Sequence, residues 1–127
     1  MTNKQHVMAG GQSAQSAGSI VGGVTAQAVS GSSQTDATLI PLGTHFYVST
    51  SSSNQGCILP PGTGSTDGLA VGDWGTLANN TSNTIKLYPP TGGIFNGGSA
   101  NAAVSLTTKQ NCLWWKLDAT NYATLIV

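Results

Sequence analysis

The chain contains no glutamate and no arginine, and its 127 residues carry only four lysines and four aspartates. Exposed helix faces are built largely from Glu, Lys and Arg, so a chain this short of them has little with which to clothe a long helix. Thr, Ser, Gly and Asn are enriched instead, and they favour strands and turns. The expected fold is therefore all-β, with many short strands, and the length has room for one domain.

The formal net charge is zero. Nucleic acid is not an expected partner, because phosphate binding draws on clustered cations and Lys4, Lys86, Lys109 and Lys116 are scattered. An anionic membrane surface is disfavoured on the same ground. Residues 2–18 hold no apolar run of the length a secretory leader needs, and no run elsewhere approaches a bilayer span, so neither export by that route nor membrane insertion is expected. Cys57 and Cys112 permit a single disulfide; without export the plainer expectation is two reduced thiols behaving as small apolar residues.

Composition shifts near Asp36. All ten leucines and all eight aromatics follow it, whereas residues 1–36 offer only Val7, Ile20, Val21, Val24, Val29 and two methionines among Gly, Ala, Ser and Gln. Such a segment buries too little apolar surface to offset its ordering entropy, about 1–2 kcal/mol per residue for the backbone alone. The division is thus an extended arm over 1–36 and a β-domain over 37–127. Ile20, Val21, Val24 and Val29 are the arm's candidate partner-binding residues, since they lie close together among small side chains that let a backbone approach a neighbour. The alternative is that the arm completes its own domain.

Beyond the arm, strands and turns alternate. Thr38–Ile40 is stopped by Pro41, and over 44–49 Phe46 and Val48 face away from His45, Tyr47 and Ser49. Residues 57–59 end at Pro60–Pro61, between polar loops at 50–56 and 62–68. Trp74–Leu77 follows the Gly72–Asp73 turn. Ile85 and Leu87 alternate with Lys86 and Tyr88 up to Pro89–Pro90. Asn96–Gly97 supplies the positive φ of a tight turn. Residues 102–106, 112–117 and 122–127 close a set of seven or eight strands, at a spacing that suits a small β-sandwich or a jelly-roll-like barrel.

Groups able to do chemistry are few. A glycosidase pair requires two of Asp36, Asp67, Asp73 and Asp118 to converge within about 5–10 Å, yet Asp67 and Asp73 sit beside glycines as turn aspartates do. A nucleophilic set drawn from Cys57 or Cys112 with His45 has no spacing to support it. No C-x-x-C or H-x-x-x-H occurs for zinc, and Gly62, Gly64 and Gly68 lack the Walker lysine and a following helix, so no metal, cofactor or nucleotide is expected. The expectation is a protein that is not an enzyme. Aromatic surface remains: Trp114 and Trp115 are adjacent on one strand and must point to opposite faces, so one is a candidate exposed contact. It suits a subunit interface or the face of a sugar ring.

The stretch Asn83–Leu106, NTIKLYPPTGGIFNGGSANAAVSL, resembles a pattern in small virion proteins of tailed bacteriophages. A strand ends in Tyr-Pro-Pro, a Gly-rich turn with Asn-Gly follows, and Ser-Ala-Asn-Ala-Ala opens the next strand. Leu69–Asp73 is similar to the turn that introduces the preceding strand, and Asp118–Tyr122 to the closing hairpin. The resemblance covers roughly residues 68–127. It implies a small β-sandwich or barrel serving as a head decoration (cement) protein, with the major capsid protein and itself, as a homotrimer, for partners. The location implied is the outer surface of the phage head, after synthesis in the host cytoplasm. The alternative is a receptor- or carbohydrate-binding module on a head fibre or tail appendage.

Overall fold

The computed structural model describes residues 24–40, 45–61 and 68–127. These form ten strands and no helix: β1 (Val24–Ala28), β2 (Thr38–Leu39), β3 (His45–Thr50), β4 (Gly56–Ile58), β5 (Trp74–Asn79), β6 (Ile85–Tyr88), β7 (Ile94–Phe95), β8 (Val104–Leu106), β9 (Asn111–Lys116) and β10 (Asn121–Ile126). The fold is all-β, in two mixed sheets. The larger has the order β1-β3-β5-β9-β10-β7 and the smaller β2-β4-β6-β8.

The chain changes sheet at every step from β1 to β9. Up to β6 each return to a sheet brings a strand beside its predecessor in the same direction, so β1, β3 and β5 pair in parallel, as do β2, β4 and β6. Parallel neighbours need a long crossover, and here the crossover is a strand of the opposite sheet. Only β9 and β10 follow each other within one sheet, as an antiparallel hairpin. Asp118 shapes its turn: Oδ1 accepts from the amides of Thr120 (2.9 Å) and Asn121 (2.8 Å).

Both sheets feed one core. Phe46, Val48, Leu77, Cys112, Trp114 and Tyr122 come from the larger sheet, and Cys57, Ile85, Leu87 and Leu106 from the smaller. Fully burying a side chain of this size contributes about 1.5–3 kcal/mol. The alternation expected for 44–49 holds, with Phe46 and Val48 buried and His45 and Tyr47 partly exposed. In the row Phe46, Leu77, Cys112, Ile126 apolar groups stand beside one another across four strands. Gly75 faces Trp114, which leaves room for the indole. The Asn96–Gly97 turn also forms as expected: φ is 53° and 73°, and the Gly98 amide donates to the Phe95 carbonyl at 2.9 Å.

The boundary at residue 36 requires correction. Residues 24–36 belong to the folded body: β1 lies along β3 in register from Val24 opposite His45, and Val29 is buried in the core. The following loop is ordered by polar groups, which a count of apolar residues overlooks. The Asp36 carboxylate accepts from the amides of Ser32 and Ser33 and from the Ser33 hydroxyl, and the Tyr88 hydroxyl donates to the Ser32 carbonyl. An edge strand also needs little apolar surface, because its neighbour supplies a backbone ladder. Val24 and Val29 are thus residues of the domain, while Ile20 and Val21 lie outside the described residues.

Candidate functional site

β9 carries two faces. Leu113, Trp115 and the following Leu117 make one, and Cys112, Trp114 and Lys116 the other. The face that contains the lysine is the buried one: Cys112, Trp114 and Lys116 are at most 3% exposed, whereas Leu117 is 50% exposed. Trp114 is therefore a core residue and not an exposed contact, and its Nε1 has no hydrogen-bond partner. Trp115 is the member of the pair that faces outward, and it is half-buried.

Polar groups converging at one end of β9 account for the buried lysine. Lys116 Nζ donates to the Leu69 carbonyl at 3.0 Å and lies 5.8 Å from the centre of the Tyr122 ring. Burial lowers its pKa, and the charges of Asp73 and Asp118 act in the opposite sense. Asp73, also buried, accepts the Ala70 amide through Oδ2 at 2.8 Å. The Gly72 amide donates to the Lys116 carbonyl and the Lys116 amide to the Asp73 carbonyl, each at 2.9 Å. Residues 69–73 are thereby fixed against the strand, and β5 starts with Trp74 directly opposite Trp115.

Trp74 is 43% exposed. With Gly72, Leu113 and Trp115 it lines a shallow groove of about 430 Å³ on the outer face of the larger sheet. The His45 ring meets Trp74 edge-on, 6.1 Å between centres at 67°, and His45 Nδ1 lies 2.7 Å from Thr76 Oγ1. His45, Thr76 and Leu113 form the next row across the strands, followed by Tyr47, Ala78 and Asn111. None of these outward side chains is a lysine, arginine or carboxylate. The sequence reading missed Trp74 as a partner of Trp115. Its position just after the Gly72–Asp73 turn was the available signal, but the pairing register was not.

The other groups considered from sequence do not come together. His45 sits on the outer face, while Cys57 and Cys112 are free and buried in the core. Burial pushes the Cys57 thiol up to about 12, with Cys112 adding to the shift, and pushes Cys112 up to about 11, which disfavours a thiolate at neutral pH. Asp36 and Asp118 each hold their own turn, and Asp67 lies outside the described residues. Among the described residues no group of three or more His, Cys, Asp or Glu could hold a metal ion, and no helix is long and apolar enough to cross a membrane.

Compared with protein-family models, curated proteins and solved structures, the chain matches none.

Proposed function

We propose that the chain is a structural virion protein, a capsid decoration (cement) protein that binds the major capsid protein on the outer surface of a tailed-phage head and associates with itself as a trimer. The observation that carries this reading is where residues 1–23 join the body. They are bonded to β1, the outermost strand of the six-stranded sheet, in which β3 is its paired neighbour. Twenty-three residues can reach on the order of 75 Å at about 3.3 Å each, and Ile20 and Val21 stand among Gly, Ala and Ser that permit close backbone approach. The attachment role belongs to this shorter segment, now that 24–36 are part of the body.

The resemblance over Asn83–Leu106 supports the same reading. Within it β8 returns antiparallel to β6, Ile85 opposite Leu106. An uncharged, hydroxyl- and amide-rich chain also suits repeated assembly, in which weak contacts sum over many copies.

The test uses the full-length protein and heads purified without it. Added protein should saturate sites spread over the whole head, and Ile20→Asp with Val21→Asp should weaken that binding at least tenfold while the tryptophan emission stays the same. Wild-type binding by this variant would remove the attachment role, and a few copies confined to a vertex or tail would favour a fibre or receptor-binding appendage. Sedimentation showing only monomer, free and on the particle, would overturn the trimer.

A further inference from the structure

The folding of β9 leaves a question of chemistry. A strand that buries a lysine and turns Leu113, Trp115 and Leu117 outward has placed its more apolar side in contact with solvent. Contiguous apolar surface of this kind is where proteins hold ligands or partners. Here the apolar character is concentrated around one cross-strand pair, Trp74 and Trp115, and gives way to Tyr47, Ala78 and Asn111 two rows along.

From this arrangement we infer that the groove between Trp74 and Trp115 binds a neutral hexopyranose unit of a polysaccharide. Size, charge and rigidity each bear on the choice. The groove, about 430 Å³, is in the range of small-ligand sites, roughly 300–1,000 Å³. Among the described residues no cation faces it: Lys116 is turned inward and buried, as is Asp73, and the exposed Asp118 in the β9–β10 turn is an anion, so neither a phosphate nor a uronic acid finds a counter-charge there. Nucleotides also stack on tryptophan, but they would bring a phosphate to a face on which none of the described residues is a cation.

A pyranose ring has an apolar C–H face and a rim of hydroxyls. The indole planes offer surface for the first, because an aromatic ring carries partial negative charge on its face and attracts polarised C–H groups. For the second, His45 and Thr76 lie one row from the tryptophans. With Nδ1 engaged by Thr76, the histidine has its other ring nitrogen to donate to or accept from a hydroxyl. The same histidine is held edge-on to Trp74, which restricts that indole before any ligand arrives and reduces the entropy lost on binding. At Gly72 the backbone has φ +89°, and an added Cβ would meet nothing within 4 Å, so the wall beside the tryptophans is open for a ring to slide against. The inference holds wherever on a particle the chain sits.

The full-length protein is titrated with dextran, mannan and galactan as neutral probes and with polygalacturonate as the charged control, followed by tryptophan fluorescence and calorimetry. At least one neutral polymer should bind saturably, with an affinity that added salt does not change, since no ion pair is involved, and polygalacturonate should not bind. Trp74→Ala and Trp115→Ala should each lower that affinity at least tenfold, and His45→Ala should lower it less. Trp74→Phe should restore part of it, which a mere loss of folding would not allow, and Leu39→Ala, on the other sheet, should leave it unchanged. Absence of binding to every neutral polymer overturns the inference, as does wild-type affinity in both alanine variants. A change from oligomer to monomer in Trp115→Ala, without any glycan effect, would show that a second copy covers the groove instead. None of these outcomes depends on attachment to heads, which residues 1–23 are proposed to provide.

Discussion

Asp73 and Lys116 are joined through the backbone at one end of the β5–β9 pair, the Lys116 amide donating to the Asp73 carbonyl, and both side chains are buried. The lysine charge is tolerated because the Leu69 carbonyl accepts from it, the Tyr122 ring lies beneath it and the Asp73 charge is near. Removing one member takes away part of what offsets the other's buried charge, and breaking a buried pair in this way typically costs up to about 3–5 kcal/mol. Lys116→Met and Asp73→Asn should each be strongly destabilising in urea denaturation, and the double variant should lose clearly less than the sum. Additive losses would show that the two charges are not coupled.

Asn79 fastens the opposite end of β5. Its Nδ2 donates to the carbonyls of Asn83 (2.7 Å), Leu106 (3.1 Å) and Thr107 (3.0 Å), and Oδ1 accepts from the amide and hydroxyl of Thr81. Alanine there strands several polar groups at about 1–3 kcal/mol for each one left buried and unsatisfied. Asn79→Asp should be worse than Asn79→Ala, because it sets a carboxylate against three carbonyl oxygens. Thermal midpoints of the two variants decide the matter; the reverse order would mean that Thr81 and not Asn79 holds the end together.

The period of β9 was legible in the sequence, but the choice of face was not. Six residues in strict alternation say that Trp114 and Trp115 part company, and composition alone favours burying Leu113, Trp115 and Leu117. What decides otherwise lies far along the chain: the Leu69 carbonyl that receives Lys116, and Gly75, which makes room for Trp114. Strand positions such as His45–Thr50 and Ile85–Tyr88, and the Asn96–Gly97 turn, follow from local pattern and came through closely. The parallel ladders did not, because a strand that crosses to the other sheet and one that turns back beside its neighbour leave the same spacing in sequence. The Trp74–Trp115 groove depends on that pairing and was hidden with it.

Stability at low pH should depend on turn aspartates. Backbone amides of Thr120 and Asn121 and the Asn121 side chain lower the Asp118 pKa below 3.8, and Ser33 and Ser32 lower that of Asp36. A depressed folded-state value means that the contribution is present above pH 3.8 and is lost as pH falls through the folded value. Asp118→Ala should therefore melt below wild type at pH 7, and the two should converge in strong acid. A gap that persists there would assign the effect of Asp118 to turn geometry and not to its charge.

The alkaline limb should be governed by the interior thiols. Cys57 and Cys112 are raised from an ordinary 9.0 to about 12 and about 11, burial being the main cause, so between these values and 9.0 the folded state holds protons that the unfolded chain releases. Their contribution is whole below pH 9.0 and is lost as pH rises through about 11 and then about 12. Tyr122, raised by burial to about 12, acts in the same direction, whereas Lys116, lowered by burial, acts in the opposite one. Comparison with Cys57→Ala/Cys112→Ala cancels both. The stability difference between wild type and this variant, measured by urea unfolding, should be flat up to pH 8.5 and then move against wild type by about 1.4 kcal/mol for each pH unit per titrating thiol. A difference unchanged up to pH 11 would mean that the thiols ionise without leaving the fold, and that the core between the two sheets admits charge.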